Sequence, residues 1–268
     1  MAVAPSPDEI YRRAVEEGRR RLAMPAIEQI TTAFIAGVTI VFGIVALGVV
    51  EALVVPTLGE GPGRLAGALA FGIGLVFLIV GRTELFTENF FDPVAAAIQS
   101  PGRQDWGSLT ALWWVTLVFN LVGGGALLAV MTIEGALPAG SAHVLIELAE
   151  AVAAKSWAAT LARAVLAGAL ITLLSYLLAA CNSITSRILV AHMVGTFLAL
   201  GPFDHVIVSA LHIAFGIWLG GDVSYGVLIA NVGIATVGNM AGGLLLITFT
   251  HAAQVWSERR QDLPNEEH

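Results

Sequence analysis

The sequence Asn-x-x-Gly-Gly occurs twice in apolar surroundings, as Asn120-Leu121-Val122-Gly123-Gly124 and, 119 residues later, as Asn239-Met240-Ala241-Gly242-Gly243. Working back from each copy reaches a glycine, Gly74 or Gly195, that leads within a few residues into sequence a membrane should reject. In one half this is Arg82-Thr83-Glu84; in the other it is Pro202-Phe203-Asp204-His205. Apolar segments interrupted at matching positions of two halves point to a duplicated transporter or channel, with its site near the bilayer midplane between discontinuous helices.

Hydrophobic residues make up 57% of the 268 residues and charged ones 12%, against roughly 25% charged in a soluble domain. A span needs about 20 apolar residues, and six segments qualify: Ile27 to Val50, Leu65 to Gly81, Leu109 to Met131, Trp157 to Ala180, Ile188 to Leu219 and Val223 to Phe249. The second is followed by the polar break Arg82 to Asn89 and a short apolar piece, Phe90 to Ile98. The fifth is cut at Gly201-Pro202 and resumes at Val206. Irregular backbone at membrane depth survives only where it is buried in protein or lines a water-filled cavity, so the two breaks imply a shared polar interior. The expected fold is an all-α integral membrane protein of six transmembrane helices with broken second and fifth helices. Three spans per half turn the second repeat upside down relative to the first.

Residues 8–22 place Ile10, Tyr11, Ala14, Val15 and Leu22 near one side of a helix that also carries Arg12, Arg13, Arg19, Arg20 and Arg21. The pattern predicts an amphipathic helix lying on the inner membrane surface. Acidic residues mixed with these arginines, and no early apolar core, argue against a cleaved signal peptide. The domain reading is a cytoplasmic N-terminal segment 1–24, a membrane domain 25–251 and a cytoplasmic tail 252–268. With the N-terminus inside, nine arginines (12, 13, 19, 20, 21, 103, 187, 259 and 260) face the cytoplasm against Arg64 and Lys155 outside, the bias expected for an inner (plasma) membrane protein with both termini cytoplasmic. The net charge of −7 is scattered and forms no nucleic-acid-binding block. Cys181 is the only cysteine, which excludes an internal disulfide and a Cys-based metal cluster within the chain.

His205, beside Asp204 at the second break, has an unperturbed pKa of about 6.5 and is suited to exchanging a proton with a weak acid. The alternative is a core histidine bonded to freed helix backbone. His192 and His212 read as structural, and the three histidines show no metal-ligand spacing; neither metal nor cofactor is expected. Arg82, Glu84 and Glu88 cluster in the first break, where Arg82 most simply neutralises one carboxylate. Arg163 in the fourth span also needs a partner, best supplied by a carboxylate of the first break. The glycines at 37, 43, 48, 123, 124, 125, 168, 242 and 243 read as close helix packing.

Four motifs together resemble the formate/nitrite transporter family: Thr83-Glu84-Leu85-Phe86-Thr87, Asn120-Leu121-Val122-Gly123, Phe203-Asp204-His205 and Gly238-Asn239-Met240-Ala241-Gly242-Gly243. The resemblance implies an aquaporin-like protomer in a homopentamer, with Thr87 in the flexible loop of the first break and His205 at the pore centre. It further implies a cytoplasmic-side constriction of Phe71, Leu75 and Phe197, and a lysine, Lys155, that draws anions into the outer vestibule. Arg82 stands where the family motif has glycine, Glu88 where it has a small residue, and Pro202 looks inserted; these departures resemble a YfdC-like branch.

The expected function is a channel or transporter for small monovalent anions or their conjugate acids, of the formate, nitrite or hydrosulfide type, linked to protons. Apolar constrictions forbid a bare charge, and protonation near His205 lets a neutral acid cross. A second reading keeps the fold and changes the solute, with Arg82, Glu84 and Glu88 as selector or gate. An integral membrane enzyme using His205 and Asp204 as acid and base lacks a nucleophile motif and metal ligands.

Overall fold

A computed structural model describes residues 5–99 and 102–261, and among these residues every regular element is a helix. In chain order they are α1 (Pro7–Leu22), α2 (Ala26–Leu58), α3 (Glu60–Val80), a 3-10 turn at Phe86–Phe90, α4 (Asp92–Gln99), α5 (Arg103–Met131), α6 (Ser141–Ala153), α7 (Trp157–Ala180), α8 (Ile184–Leu200), α9 (Val206–Trp218), α10 (Tyr225–Ala241), a π-helical segment Gly242–Thr248, and α11 (Phe249–Gln261). Four single helices, α2, α3, α5 and α7, are long and apolar enough to cross a membrane, and so is the continuous run Tyr225–Arg260; α8 and α9 are shorter apolar helices.

The helices start where their sequences supply caps. Ser6, Ser156, Ser183 and Ser224 accept a backbone N–H from the first turns of α1, α7, α8 and α10, replacing a bond the helix lacks there. In α1, Asp8 and Glu9 sit in the first turn and Arg19, Arg20 and Arg21 in the last, each charge matched to the helix dipole. The α2–α3 hairpin turns at Gly59 with φ 87°, a conformation that side chains disfavour.

Both breaks lie where the sequence places them. The other boundaries differ. α2 continues to Leu58 and α3 starts at Glu60. The last span is not a single α-helix: Thr248 Oγ1 donates to the carbonyls of Phe90 (2.6 Å) and Gly243 (3.1 Å), and Gly243 lies against the Phe90 ring. The helix widens into a π segment around that contact. α6 falls in a stretch assigned to no span. It buries Val144, Leu145 and Ala149 and packs on α9 and α2.

α1 does not present its apolar face to lipid. Tyr11, Ala14 and Val15 pack with Phe91, Ala95 and Ala96 and with Ala252 and Val255 of α11, and Gly18 lies against the Asp92 carbonyl. Arg259 Nε to Asp8 Oδ1 (2.7 Å) ties α11 to α1. An amphipathic pattern specifies a buried face but not what buries it, and here protein does. Residues 252–261 are therefore helical and partly packed; the remainder of the expected tail lies outside the described residues.

Candidate functional site

The two Asn-x-x-Gly-Gly copies hold the two breaks. Asn120 Nδ2 donates to the carbonyls of Ala33 (2.8 Å) and Glu84 (3.0 Å), and its Oδ1 accepts the Phe86 N–H (2.9 Å). Asn239 Nδ2 donates to the carbonyls of Ala164 (2.8 Å) and Asp204 (3.1 Å), and its Oδ1 accepts the Val206 N–H (2.9 Å). Both side chains are fully buried. Each binds the backbone freed by a helix break to the helix crossing beside it, satisfying groups that burial would otherwise leave unpaired.

Close approach makes those bonds possible. A Cβ added to Gly37 would lie 2.0 Å from the Asn120 carbonyl oxygen, and one added to Gly168 would lie 2.0 Å from the Asn239 carbonyl oxygen. Gly125 is different: nothing lies within 4 Å of the position its Cβ would take, so the close-packing role assigned to it is withdrawn.

The charges at the breaks pair otherwise than expected. Glu84, 1% exposed, is met by α1: Arg20 Nη2 at 3.1 Å and Arg21 Nη1 at 3.4 Å. Arg21 Nη2 also reaches Asp92 at 3.7 Å. Burial pushes the Arg21 guanidinium down, but Glu84, Asp92, Glu88 and Glu17 together outweigh it and raise it above its ordinary value. Arg82, expected to neutralise Glu84 or Glu88, makes no ion pair among the described residues, and its backbone is left-handed (φ 53°). At the other break, Lys155 Nζ bonds Asp204 Oδ1 and Arg163 Nε lies 3.6 Å from Asp204 Oδ2. Arg163 thus pairs within its own half instead of with the first break, because α7 runs beside the second break, where the Arg163 carbonyl accepts the Asp204 N–H at 3.2 Å. Lys155 is likewise not a free charge: the trio carries a net charge of about +1, shared with a buried carboxylate.

Two cavities approach each other. The inner one, about 510 Å³, is lined by Ile79 of α3, Leu178 of α7, Arg187 of α8, Arg20 and Arg21 of α1, and Glu84 and Glu88. The outer one, about 290 Å³, is lined by Phe71 of α3, Arg163 of α7, Leu198 of α8, Lys155, Phe203, Asp204 and His205. Arg163 and Leu178 are about 22 Å apart along α7 at 1.5 Å per residue, so the cavities occupy opposite ends of the helices. Phe71, Leu75 and Ile79 share one face of α3 at i, i+4 spacing. Phe71 meets the outer cavity, Ile79 the inner one, and Leu75, 1% exposed, lies in the closed stretch between. Phe71 therefore walls the cavity shared with Lys155, Arg163 and Asp204, and not the one shared with Arg20, Arg21 and Glu84. Phe197 belongs to neither cavity: it is 51% exposed and contacts the Phe203 ring edge-on, because it faces away from Val194 and Leu198, the buried positions of α8.

The breaks meet at Thr87 and His205. Thr87 Oγ1 lies 2.6 Å from His205 Nε2, both residues buried. His205 is also the N-cap of α9, with Nδ1 facing the Val208 N–H at 3.4 Å. In the neutral ring this arrangement places the proton on Nε2, directed at Thr87. Sequence reasoning missed Arg20 and Arg21 as partners of Glu84, although their position at the C-terminal end of an amphipathic helix was visible. It also missed Ser209 and read His212 as structural; the two share the α9 face of His205 at i+4 and i+7 and line the outer cavity.

Cavities from opposite ends, separated by a short closed stretch inside a helical body, define a membrane channel or transporter. The model of the formate/nitrite transporter family matches residues 8–253; the chain belongs to this family, whose members are channels and transporters and not enzymes. It is 23% identical to the inner membrane protein YfdC of Escherichia coli K12 over 257 residues, covering 96% of this chain and 80% of that one. An FNT family ion channel of known structure is similar with a TM-score of 0.75 at 18% identity, over 92% of this chain and 98% of that one. A pentameric formate channel with formate bound gives 0.70 at 19%, over 86% and 98%. At these identities the structural likeness shows the shared fold.

Proposed function

We propose that this protein passes small monovalent anions through each protomer in a proton-linked form, formate, nitrite or hydrosulfide crossing as the conjugate acid. The reading is carried by the Thr87–His205 hydrogen bond at 2.6 Å, which joins the two breaks at the edge of the outer cavity, with Leu75 of α3 in the closed stretch between the cavities. Lys155 and Arg163, together more positive than Asp204 is negative, concentrate the anion outside. Phe71, Phe203 and Leu75 offer nothing to replace the hydration of a bare charge, whose transfer there is costly. His205 borders the outer cavity and meets Thr87 through Nε2, so the pair exchanges the proton that neutralises the anion before it passes Leu75.

The same reading takes α8 and α9 as one interrupted span, giving six crossings in two inverted repeats, with residues 25–251 as the membrane domain. The arginine bias supports cytoplasmic termini in an inner membrane, and likeness to the pentameric formate channel supports a homopentamer. The test is a flux panel across proteoliposomes, with formate, nitrite and hydrosulfide each measured at two external pH values. Faster flux of at least one at the lower pH is expected. No flux of any, from protein that is folded and reconstituted, refutes the reading.

A further inference from the structure

Arg82 is the one non-glycine among the described residues with positive φ, at 53°. A side chain there is strained, and such strain collects at functional positions. Arg82 lines the inner cavity and makes no ion pair among the described residues. Arg187, on the same cavity, donates only to the Leu178 carbonyl (3.3 Å). The other cations are committed: Arg13 to Glu9, Asn182 and the Ala179 carbonyl, Arg20 to Glu17 and Glu84, and Arg21 to Glu17, Glu84 and Asp92. Among the carboxylates, Glu88 is 2% exposed, makes no ion pair, and has Oε2 buried without a hydrogen-bond partner. One cavity wall thus presents two uncommitted guanidinium groups and one uncommitted carboxyl.

We infer that the inner cavity is the receiving site for the transported anion, with Arg82 and Arg187 taking the oxyanion and Glu88 the proton that accompanied it. This rests on the proposed function and adds its inner half. Glu88 yields its own proton to cytoplasmic water, and a neutral acid passing Leu75 then gives its proton to the freed Glu88 carboxylate oxygen. The acid's O–H or S–H bond breaks, its electron pair stays on the anion, and Glu88 is again a carboxylic acid. Guanidinium groups stabilise the anion through charge-assisted bonds. The charged groups that share the cavity with Glu88 are Arg13, Glu16, Glu17, Arg20 and Arg21 from α1, Arg82 and Glu84 from the break, Asp92 from α4 and Arg187 from α8, while α7 contributes the neutral Ser175, which bonds the Glu88 carbonyl at 3.2 Å. One arriving anion with its proton leaves the net charge of the cavity unchanged.

Two measurements on the full chain test this. In detergent, the unfolding midpoint is followed against sodium formate, with gluconate holding ionic strength. Formate should stabilise the wild type and the surface control Arg64→Gln, with apparent affinity about ten-fold weaker in Arg82→Gly and in Arg187→Gln, roughly the loss of one ion-assisted contact. Arg82→Gly relaxes the strained backbone, so its fold is expected to persist. Equal affinities, or no stabilisation of the wild type, overturn the anion site. In proteoliposomes, formate entry is measured while internal pH is varied, with Glu88→Gln expected to flatten the wild-type dependence. An unchanged profile overturns the proton role. If the wild type carries none of the three anions, the proposed function falls, and the formate titration still judges the site.

Discussion

Glu84 and Asp204 occupy the same position in the two halves of the chain. The carbonyl of each accepts from the asparagine that closes its half, at 3.0 and 3.1 Å, and the carboxylate of each meets two cations. Glu84 takes Arg20 and Arg21 from the end of α1; Asp204 takes Lys155, just after α6, and Arg163. The helix preceding each half's first span therefore ends by neutralising that half's break. Each break carboxylate is met by cations of its own half, and α1 and α6 belong to the machinery of the breaks.

Arg21→Gln should consequently destabilise the protein by about 3 kcal/mol, since removing one partner strands buried charge, with Arg20 recovering part of the loss. The double substitution Arg21→Gln with Glu84→Gln should be closer to wild type than the single change. Denaturation midpoints of the three variants decide it: additive losses would show that the two groups are not coupled.

Arg82→Gly should behave in the opposite way to a broken buried ion pair. Relief of left-handed backbone strain gains roughly 1 kcal/mol or more, offset by the extra freedom of glycine in the unfolded chain, about 0.5 to 1 kcal/mol. The midpoint is expected unchanged or slightly raised. A fall of several degrees would mean that Arg82 anchors the break after all.

Gly37→Ala and Gly168→Ala should each cost about 1 to 3 kcal/mol or misfold, because a methyl group would have to displace the backbone carbonyl of Asn120 or Asn239. Gly125→Ala, with open space around its Cβ, should be neutral or mildly stabilising, since alanine favours helix. Equal expression and thermal stability of all three would contradict the close approach.

Much of this was legible in the sequence because the membrane makes local rules strict. Long apolar runs name the helices, and Asn120 and Asn239 mark the two sites where freed backbone must be satisfied. Partner choice was not legible. Nearness in sequence suggested that Arg82 neutralises Glu84 or Glu88, yet it pairs with neither, while Arg20, 64 residues upstream, reaches Glu84 through tertiary packing. The place of Phe197 in a constriction came from the family resemblance; that it is 51% exposed within the protomer depends on tertiary packing, which periodicity does not give. α6 escaped because its 13 residues are too short for a span-length window.

The docking of α1 should be acid-sensitive. Burial pushes the Glu17 carboxyl up, but hydrogen bonds and charge from Arg20 and Arg21 prevail and hold it below its ordinary value. A carboxylate depressed in the folded state contributes stability that is complete above its unfolded pKa, about 4.3, and lost as pH falls through the lower folded value. Hydrogen-exchange protection of residues 7–22, corrected for intrinsic rates, is expected constant from neutral pH to about pH 5 and reduced below about pH 4. Constant protection down to about pH 3 would mean that the Glu17 cluster does not clamp the helix.

His205 should set the pH dependence of permeation, because it is the titratable group hydrogen-bonded across the two breaks and the anion must lose its charge beside Leu75. His205→Asn preserves hydrogen-bonding capacity near Thr87 and can still cap α9, since asparagine is a favoured N-cap, but it removes the proton site. Flux should persist in altered form, with its pH dependence flattened. Thr87→Val, which deletes the hydroxyl at nearly constant shape, should slow flux while leaving His205 able to titrate from the outer cavity. The two profiles therefore separate the groups: flattening in His205→Asn with a retained slope in Thr87→Val assigns proton exchange to the imidazole. A wild-type slope in His205→Asn, measured with an anion that demonstrably crosses, moves the pH sensing away from the second break.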